Sequence, residues 1–376
     1  MIESFELVKT NYAYHAVIDS KPVRAIYKST NKSYSRLTLI DKENGGKADA
    51  LNVGINFSTK DVIACIDVDC ILSADSLSRM VRPIMEEVNR KVIAVGGVIG
   101  VANNCEVKDG TVTTYRVPET LLGCFQVIEY FRSFLMGRMA WTRINGLMLI
   151  SGAFGFFNRE IVLKVGGYFP KTVGEDMELI VRMRRYMEEN KQSYKVAFVP
   201  DPLCWTEVPE SEEILSRQRN RWMRGTIETL QLHKKIGMNP KFGIMGMVSF
   251  PYWSLFEKLA PIIEVMGLIY TLVMIIRGDF SAIYLIVLFI LIYFFSVLIS
   301  SFSILYEELA FNNYKNKKDV RKLIWTALLE PFVIHPKIVW WGLKGHWDFI
   351  KGKGGWGVMI RTGFKKATDK NQVTNA

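Results

Sequence analysis

Cysteine and histidine are scarce, and neither is arranged as a site. The five cysteines (Cys65, Cys70, Cys105, Cys124, Cys204) form no CxxC pair and have no histidine at metal-ligand spacing. That excludes a zinc-finger module, and an odd, scattered set fits reduced thiols rather than a disulfide framework. The first thirty residues hold no apolar core segment, so neither a signal peptide nor an N-terminal anchor is expected. Internal repeats and low-complexity tracts are missing too, which sets aside solenoids and linker-like chains. What is there is a chain of 376 residues, 49% hydrophobic and still 23% charged. It is neither disordered nor collagen-like, and it is long enough for a domain of about 200 residues plus a second region. The net charge of +11 calls for an anionic partner, either nucleic acid or a membrane surface.

Polar and apolar residues are segregated along the chain. Residues 1–240 read as a cytosolic domain in which short β-rich runs alternate with helical patterns. The runs are 37–40 (LTLI), Val62–Ile66 (VIACI), 92–99, and 194–199 closed by Pro200; ADALNVGINF (48–57) and residues 76–89, despite Pro83, read as helices. Such alternation predicts an α/β layered domain with a largely parallel sheet, whose ligands collect at the carboxyl ends of strands. Residues 241–345 form a membrane region. Segment 259–276 is apolar apart from Glu264, and 280–306 carries no charge. Each reaches the roughly 20 residues of helix that a bilayer core requires. A third stretch, 323–341, is interrupted by Glu330, Pro331, His335, Pro336 and Lys337 and has basic residues on both sides. Positive charge at both ends argues for an interfacial or re-entrant segment rather than a crossing. Two crossings then return a basic tail, 346–376, to the cytoplasmic side. These apolar segments settle the charge question for anionic membrane lipids and against nucleic acid.

Three clusters can carry chemistry. Asp67-Val68-Asp69 follows the VIACI run; in extended backbone both carboxylates point the same way, and oxygen-only ligands suit Mg²⁺ or Mn²⁺ on a diphosphate. Taken alone, the same pair is an ordinary solvated strand end. Gly174-Glu175-Asp176 follows the glycine-rich SGAFGFF (151–157) and VGGY (165–168). It is either an N-terminal helix cap or a general base whose pKa its neighbour raises. Gln218, Arg221 and Trp222 lie three and four apart in the helical run EEILSRQRNRWMRGTIETL and share one face. They combine an amide, a fixed cation and an aromatic plane, which suit a diphosphate and a sugar ring. Arg217, Arg219 and Arg224 on the other faces leave open a merely basic surface.

The order of these signals resembles the family-2 inverting glycosyltransferases. More narrowly, it is similar to the membrane-embedded branch with the cellulose, hyaluronan and poly-N-acetylglucosamine synthases. The resemblance runs from residue 44 to 361 and includes GGKADALN (45–52), FQVIEYFRSFLMGR (125–138), ISGAFGFFNRE (150–160), TVGEDMEL (172–179) and WGVMIR (356–361). It implies a GT-A type nucleotide-sugar domain followed by transmembrane and interfacial helices. It also implies a UDP-sugar donor, a glycan or lipid-linked acceptor, and Mg²⁺ or Mn²⁺ as cofactor. By the same resemblance Asp67 contacts the nucleotide, Asp69 holds the metal, and Asp176 is the base that deprotonates the acceptor hydroxyl. Gln218, Arg221 and Trp222 grip the diphosphate and the acceptor end, with Lys47 and Glu175 also among the substrate-binding residues. Residues 125–138, with Gln126, Glu129, Tyr130 and Arg138, make a helix at the membrane interface beside the acceptor.

One stretch departs from the pattern. The chain begins MIESFELVKTNYAYHAVIDSKPVRAIYKS, where the family has a strand like VIVPAYNE and then a DGS-like aspartate. The expectation is therefore a GT-A domain that is N-terminally incomplete, without its first βαβ unit or N-terminal membrane helices. Two functions follow. One is inverting sugar transfer at the cytoplasmic face of the inner or plasma membrane by a multi-pass protein, with QxxRW leaning towards processive polysaccharide synthesis. The other is a catalytically silent or split-gene subunit that needs an upstream-encoded partner chain to supply the missing nucleotide-binding unit.

Overall fold

The computed structural model describes residues 1–279 and 281–355; Phe280 and the tail motif at 356–361, with the rest of the tail, lie outside the described residues. The chain opens with three short strands, β1 (Leu7–Thr10), β2 (Val23–Ser29) and β3 (Thr38–Lys42), paired antiparallel in that order as a small sheet of their own. Helix α1 (Gly46–Phe57) leads from it to the main sheet. That sheet contains β4 (Val62–Ile66), β5 (Cys70–Leu72) and β6 (Lys91–Val101). A two-stranded ribbon, β7 (Glu106–Lys108) with β8 (Thr111–Thr114), precedes its last members, β9 (Phe154–Asn158) and β10 (Tyr194–Thr206).

The spatial order is β4-β9-β6-β10-β5, and of its neighbouring pairs only β6 with β10 is parallel. The α/β class stands, but the sheet is mixed instead of largely parallel. Two causes are visible. The 37–40 run belongs to the separate N-terminal sheet. The glycine-rich segment, not among the strands expected from the sequence, supplies β9, where Phe154, Phe156 and Phe157 are buried and the strand pairs with β4 and β6. Alternating strand and helix patterns do not show which way the strands run, and here they also left β5 and β9 unread.

Strand β6, apolar throughout after Lys91, is covered on both faces and is the centre of the core. Gly100 is required there by close approach, since a Cβ would sit 2.5 Å from the Trp205 indole on β10. Nor does β10 stop at Pro200. It continues to Thr206 with its register shifting on both sides of Pro202, the kind of irregularity where a residue without an N–H is tolerated.

Helix α2 (Ser76–Met85) ends two residues after Pro83, four residues short of its sequence pattern. Helix α3 (Leu121–Tyr130), capped by the Thr120 hydroxyl, widens into a π-helical segment, Phe131–Arg138, and continues as α4 (Met139–Arg143). Next come α5 (Arg159–Lys164), α6 (Glu175–Glu189) and α7 (Glu212–Leu232), the last capped by Ser211. A short helix, α8 (Phe250–Tyr252), sits between two π-helical segments, Met245–Ser249 and Trp253–Lys258.

Beyond it, α9 (Ala260–Arg277) and α10 (Ala282–Ala310) are long and apolar enough to cross a membrane, and almost none of their apolar surface is buried against protein. The stretch 323–341 falls on two helices, α11 (Lys317–Val333) and α12 (His335–Ile350), which meet at a 52° bend. Pro336, in the first turn of α12, cannot donate the N–H that would carry one helix through the break. Two polar links tie this region to the domain. Arg132, on the π-helical segment, makes a bidentate pair with Glu330 of α11 (3.0 and 2.6 Å) and bonds Ser300 of α10. Asn220 of α7 donates to Asp348 of α12 (2.9 Å), with Gly345 letting the two helices close on each other and Gly342 making room for Pro261 of α9.

Candidate active site

Asp67 is held where β4 gives out. Its N–H donates to Ala153 O (3.0 Å), and its carbonyl accepts from Cys70 N (3.1 Å), closing a turn before β5. Asp67 and Asp69 are thus turn residues, not members of an extended strand. They share a site because the chain folds back, and the negative charge of Asp69 is one of the influences that raise the Asp67 pKa. Burial is the largest of these, and with the charges of Asp69 and Asp176 it outweighs the opposing effect of Lys47.

Lys47, in the first turn of α1, joins the clusters. Its ammonium pairs with Asp67 and donates to Gly152 O (3.0 Å), while Gly152 N donates to Asp176 Oδ2 (3.2 Å). Burial by itself would lower the Lys47 pKa, but the carboxylates of Asp67, Glu175 and Asp176 more than compensate and raise it. The SGAFG segment therefore lies between the acidic turn and the acidic pair, touching both with its backbone.

The two acids of the pair differ. Glu175, the first residue of α6, is 4% exposed, and burial, then the neighbouring Asp176 charge, pushes its carboxyl up to about 7. Asp176 is half-buried and accepts from Gly152 N and from Met177 N (2.8 Å), so it is positioned and reachable together. A base has to touch its acceptor, which favours Asp176 over its buried neighbour.

Helix α7 brings up the third cluster. The Arg221 guanidinium is near enough to Glu175 to favour its charged form. Gln218 is 7% exposed, and its Oε1 is buried with no hydrogen-bond partner. Trp222 keeps 40% of its surface exposed, with the Arg219 guanidinium 4.3 Å above its ring. The other arginines of this helix do not make a loose basic patch. Arg219 pairs with Glu129 (2.6 and 2.5 Å), and Arg217 with Glu213. Arg224 bonds Asn220 and the carbonyls of Lys353 and Gly355. In the 125–138 stretch, Gln126 is fully buried and gives its amide to the carbonyls of Leu122 and Pro209, while Arg138 stacks on Phe134 (3.9 Å) with one buried N–H unmatched. Motif spacing did not reveal the long-range braces, Gln126 to Pro209, Arg219 to Glu129 and Arg224 to Lys353, because they join residues 83, 90 and 129 positions apart.

Among the described residues no three His, Cys, Asp or Glu side chains form a metal cage. The donors at the acidic turn are two carboxylates. That set suits a hard cation that keeps most of its coordination for water and phosphate, as Mg²⁺ and Mn²⁺ do.

The chain is similar to several proteins of known description. The chain is 28% identical over 225 residues to the poly-β-1,6-N-acetyl-D-glucosamine synthase of Staphylococcus aureus (strain COL), covering 60% of this chain and 48% of that one. It is 27% identical over 187 residues to the Staphylococcus epidermidis synthase of the same description, covering 50% and 40%. The chain thus spans about half the length of these relatives. A solved structure, the mannosyltransferase PcManGT from Pyrobaculum calidifontis in complex with GDP-Man and Mn²⁺, aligns at 14% identity with a TM-score of 0.45, over 84% of this chain and 69% of that one. Residues 12–225, more than half of the chain, match the family model described as glycosyltransferase like family 2. The acidic turn, the SGAFG segment, the acidic pair and the QRNRW motif fall within that match, and the chain belongs to the family-2 glycosyltransferases.

Proposed function

We propose that this chain is the catalytic part of a membrane-bound polysaccharide synthase, transferring N-acetylglucosamine from UDP to the end of a growing glycan with inversion. One observation carries the reading: Asp67, Lys47, Gly152 and Asp176 are joined by consecutive contacts, so a diphosphate at the acidic turn and a hydroxyl at Asp176 would be neighbours. The sugar identity follows the relatives, whose names specify a poly-N-acetylglucosamine product.

In this mechanism Arg221 and Lys47 hold the donor diphosphate, and Trp222 offers its face to a sugar ring. Asp67 and Asp69 would hold Mg²⁺ or Mn²⁺, whose chemistry is to neutralise charge on the departing diphosphate. Asp176 takes the proton from the acceptor hydroxyl. That oxygen attacks the anomeric carbon from the side opposite the diphosphate, and the bond from that carbon to the phosphate oxygen breaks. Gln218, on the same helix face, would back the acceptor end from beneath.

The domain, residues 1–240, would lie on the cytoplasmic face, with 241–345 as the membrane region and 346–376 as a tail on the same side. Exposed Trp325, Trp340 and Trp347 on α11 and α12, beside the flanking lysines, fit the headgroup layer of an anionic leaflet. The test is incorporation of radiolabel by membranes carrying the protein, offered UDP-N-acetylglucosamine, UDP-glucose and GDP-mannose in turn. Polymer labelled from UDP-N-acetylglucosamine, and abolished by EDTA, is expected. Labelling from GDP-mannose alone, or full activity in EDTA, overturns the donor or the metal assignment.

A further inference from the structure

Gly225 stands in the interior of α7, where glycine costs helix stability relative to alanine. The residue before the acidic pair, Gly174, is also a glycine, although its φ of −118° is open to any L-residue. Neither is explained by conformation. What the two share is each other. A Cβ on Gly225 would lie 2.7 Å from Gly174 Cα, and one on Gly174 would lie 2.8 Å from Gly225 Cα. Both obstacles are backbone, so no side-chain rotation relieves them.

A second contact lies one turn further along α7. The Glu228 carboxylate accepts from Thr172 Oγ1 (2.7 Å) and from Val173 N (2.9 Å), gripping the two residues ahead of Gly174. Thr172 Oγ1 in turn accepts from Gly174 N (3.1 Å). A third contact closes the far end, where His233 Nε2 meets Glu178 Oε1 at 3.1 Å. Along α7 the positions run Gln218, Arg221, Trp222, Gly225, Glu228, at spacings of three, one, three and three. That is a single stripe, with the proposed binders at one end and the contacts to the head of α6 at the other.

We propose that Gly225 and Glu228 form a positioning clamp that registers Glu175 and Asp176 against the Gln218–Arg221–Trp222 face. The inference rests on reading Asp176 as the base and α7 as the diphosphate grip. A clamp of this kind acts on turnover rather than on donor affinity. The grip stays on α7 when the clamp is loosened, but the base moves relative to it, and misplacement of about 1 Å is enough to cost of the order of 10²-fold in rate.

The experiment uses the full chain in membranes, with UDP-N-acetylglucosamine as donor and UDP as the binding probe. Gly225→Ala is expected to lower turnover per folded molecule by ~10–100-fold, with the donor KM and UDP affinity within ~3-fold of the parent. Glu228→Ala should move in the same direction. Glu228→Gln, whose amide oxygen can still accept from Thr172 and Val173, should recover most of that loss. A purely architectural role would lower the amount of folded protein and leave turnover per molecule and KM alone, and that result overturns the clamp. If Gly225→Ala does not accumulate, Glu228→Ala and Glu228→Gln decide between them; equal turnover in the two overturns it. Asp176→Asn, run alongside, separates the two levels. An inactive Asp176→Asn with clamp variants at parental turnover removes the clamp and spares the mechanism, whereas a fully active Asp176→Asn removes both.

Discussion

Glu175 and Asp176 are adjacent in the chain and occupy unlike surroundings, and the difference is measurable. Asp176→Asn keeps the shape and the hydrogen-bonding reach of the side chain but not its basicity. Turnover should fall by roughly 10²–10⁴-fold while UDP binding, read by calorimetry, stays put. Arg221→Ala should weaken UDP binding and turnover together, since it removes a contact present before and during reaction. Glu175 behaves differently again. Its carboxyl is raised from an ordinary 4.5 to about 7, so the folded protein holds the proton across that window. Folding stability is therefore undiminished below about pH 4.5 and declines as pH rises through 7. Glu175→Gln should melt with the parent near pH 4 and above it at pH 8, by differential scanning fluorimetry in detergent. A parent that melts higher at pH 8 would show that the carboxylate is stabilised where it sits. The acid types and their order were legible in the sequence. Which of the two is buried was not, since burial depends on the SGAFG backbone and α7 closing over them from distant positions.

At the scale of elements, spacing foretold faces better than boundaries. Residues 218, 221 and 222 share a helix face as their intervals required, and α1 and α6 begin at the glycines that precede their polar first turns. Strand β9 and the second half of β10 were hidden, one behind glycines and the other behind two prolines, because local propensity is overridden where both faces of a strand are packed. The π-helical segment was illegible for a related reason: nothing in FRSFLMGR marks a widened turn, which is stabilised by what its side chains reach. One of those is Arg132, and its bidentate pair with the buried Glu330 joins the domain to α11. Breaking such a pair strands a charge, so Glu330→Ala should cost about 3 kcal/mol, observed as a lower melting temperature of the detergent-solubilised protein. Replacing both partners with apolar residues, Arg132→Met with Glu330→Leu, should recover most of it. A double variant as unstable as the single one would mean that the pair does more than neutralise itself.

For the whole molecule, segregation of charge announced a polar domain and an apolar region, and the mixed strand directions of the domain were the main thing it withheld. The proposed topology makes a prediction from described positions. Asp279→Cys, in the reversal between α9 and α10, should react with an impermeant maleimide in intact cells. Lys351→Cys, just past α12, should react only after lysis. Labelling of Lys351→Cys in intact cells would mean that α11 and α12 cross as one bent span.

That reversal has an energetic side. The backbone turns at Gly278 in the left-handed conformation, and only four residues separate α9 from α10. Its two charges, Arg277 and Asp279, lie 3.4 Å apart and cancel. On the proposed topology this is all the polar chain that has to be carried to the far side during insertion. A paired, net-neutral knuckle of that size is cheap to translocate, and the membrane potential exerts no net pull on it. The two helices can enter the bilayer as one hairpin, leaving the folding of the sheet and the acidic site on the side where the chain is made.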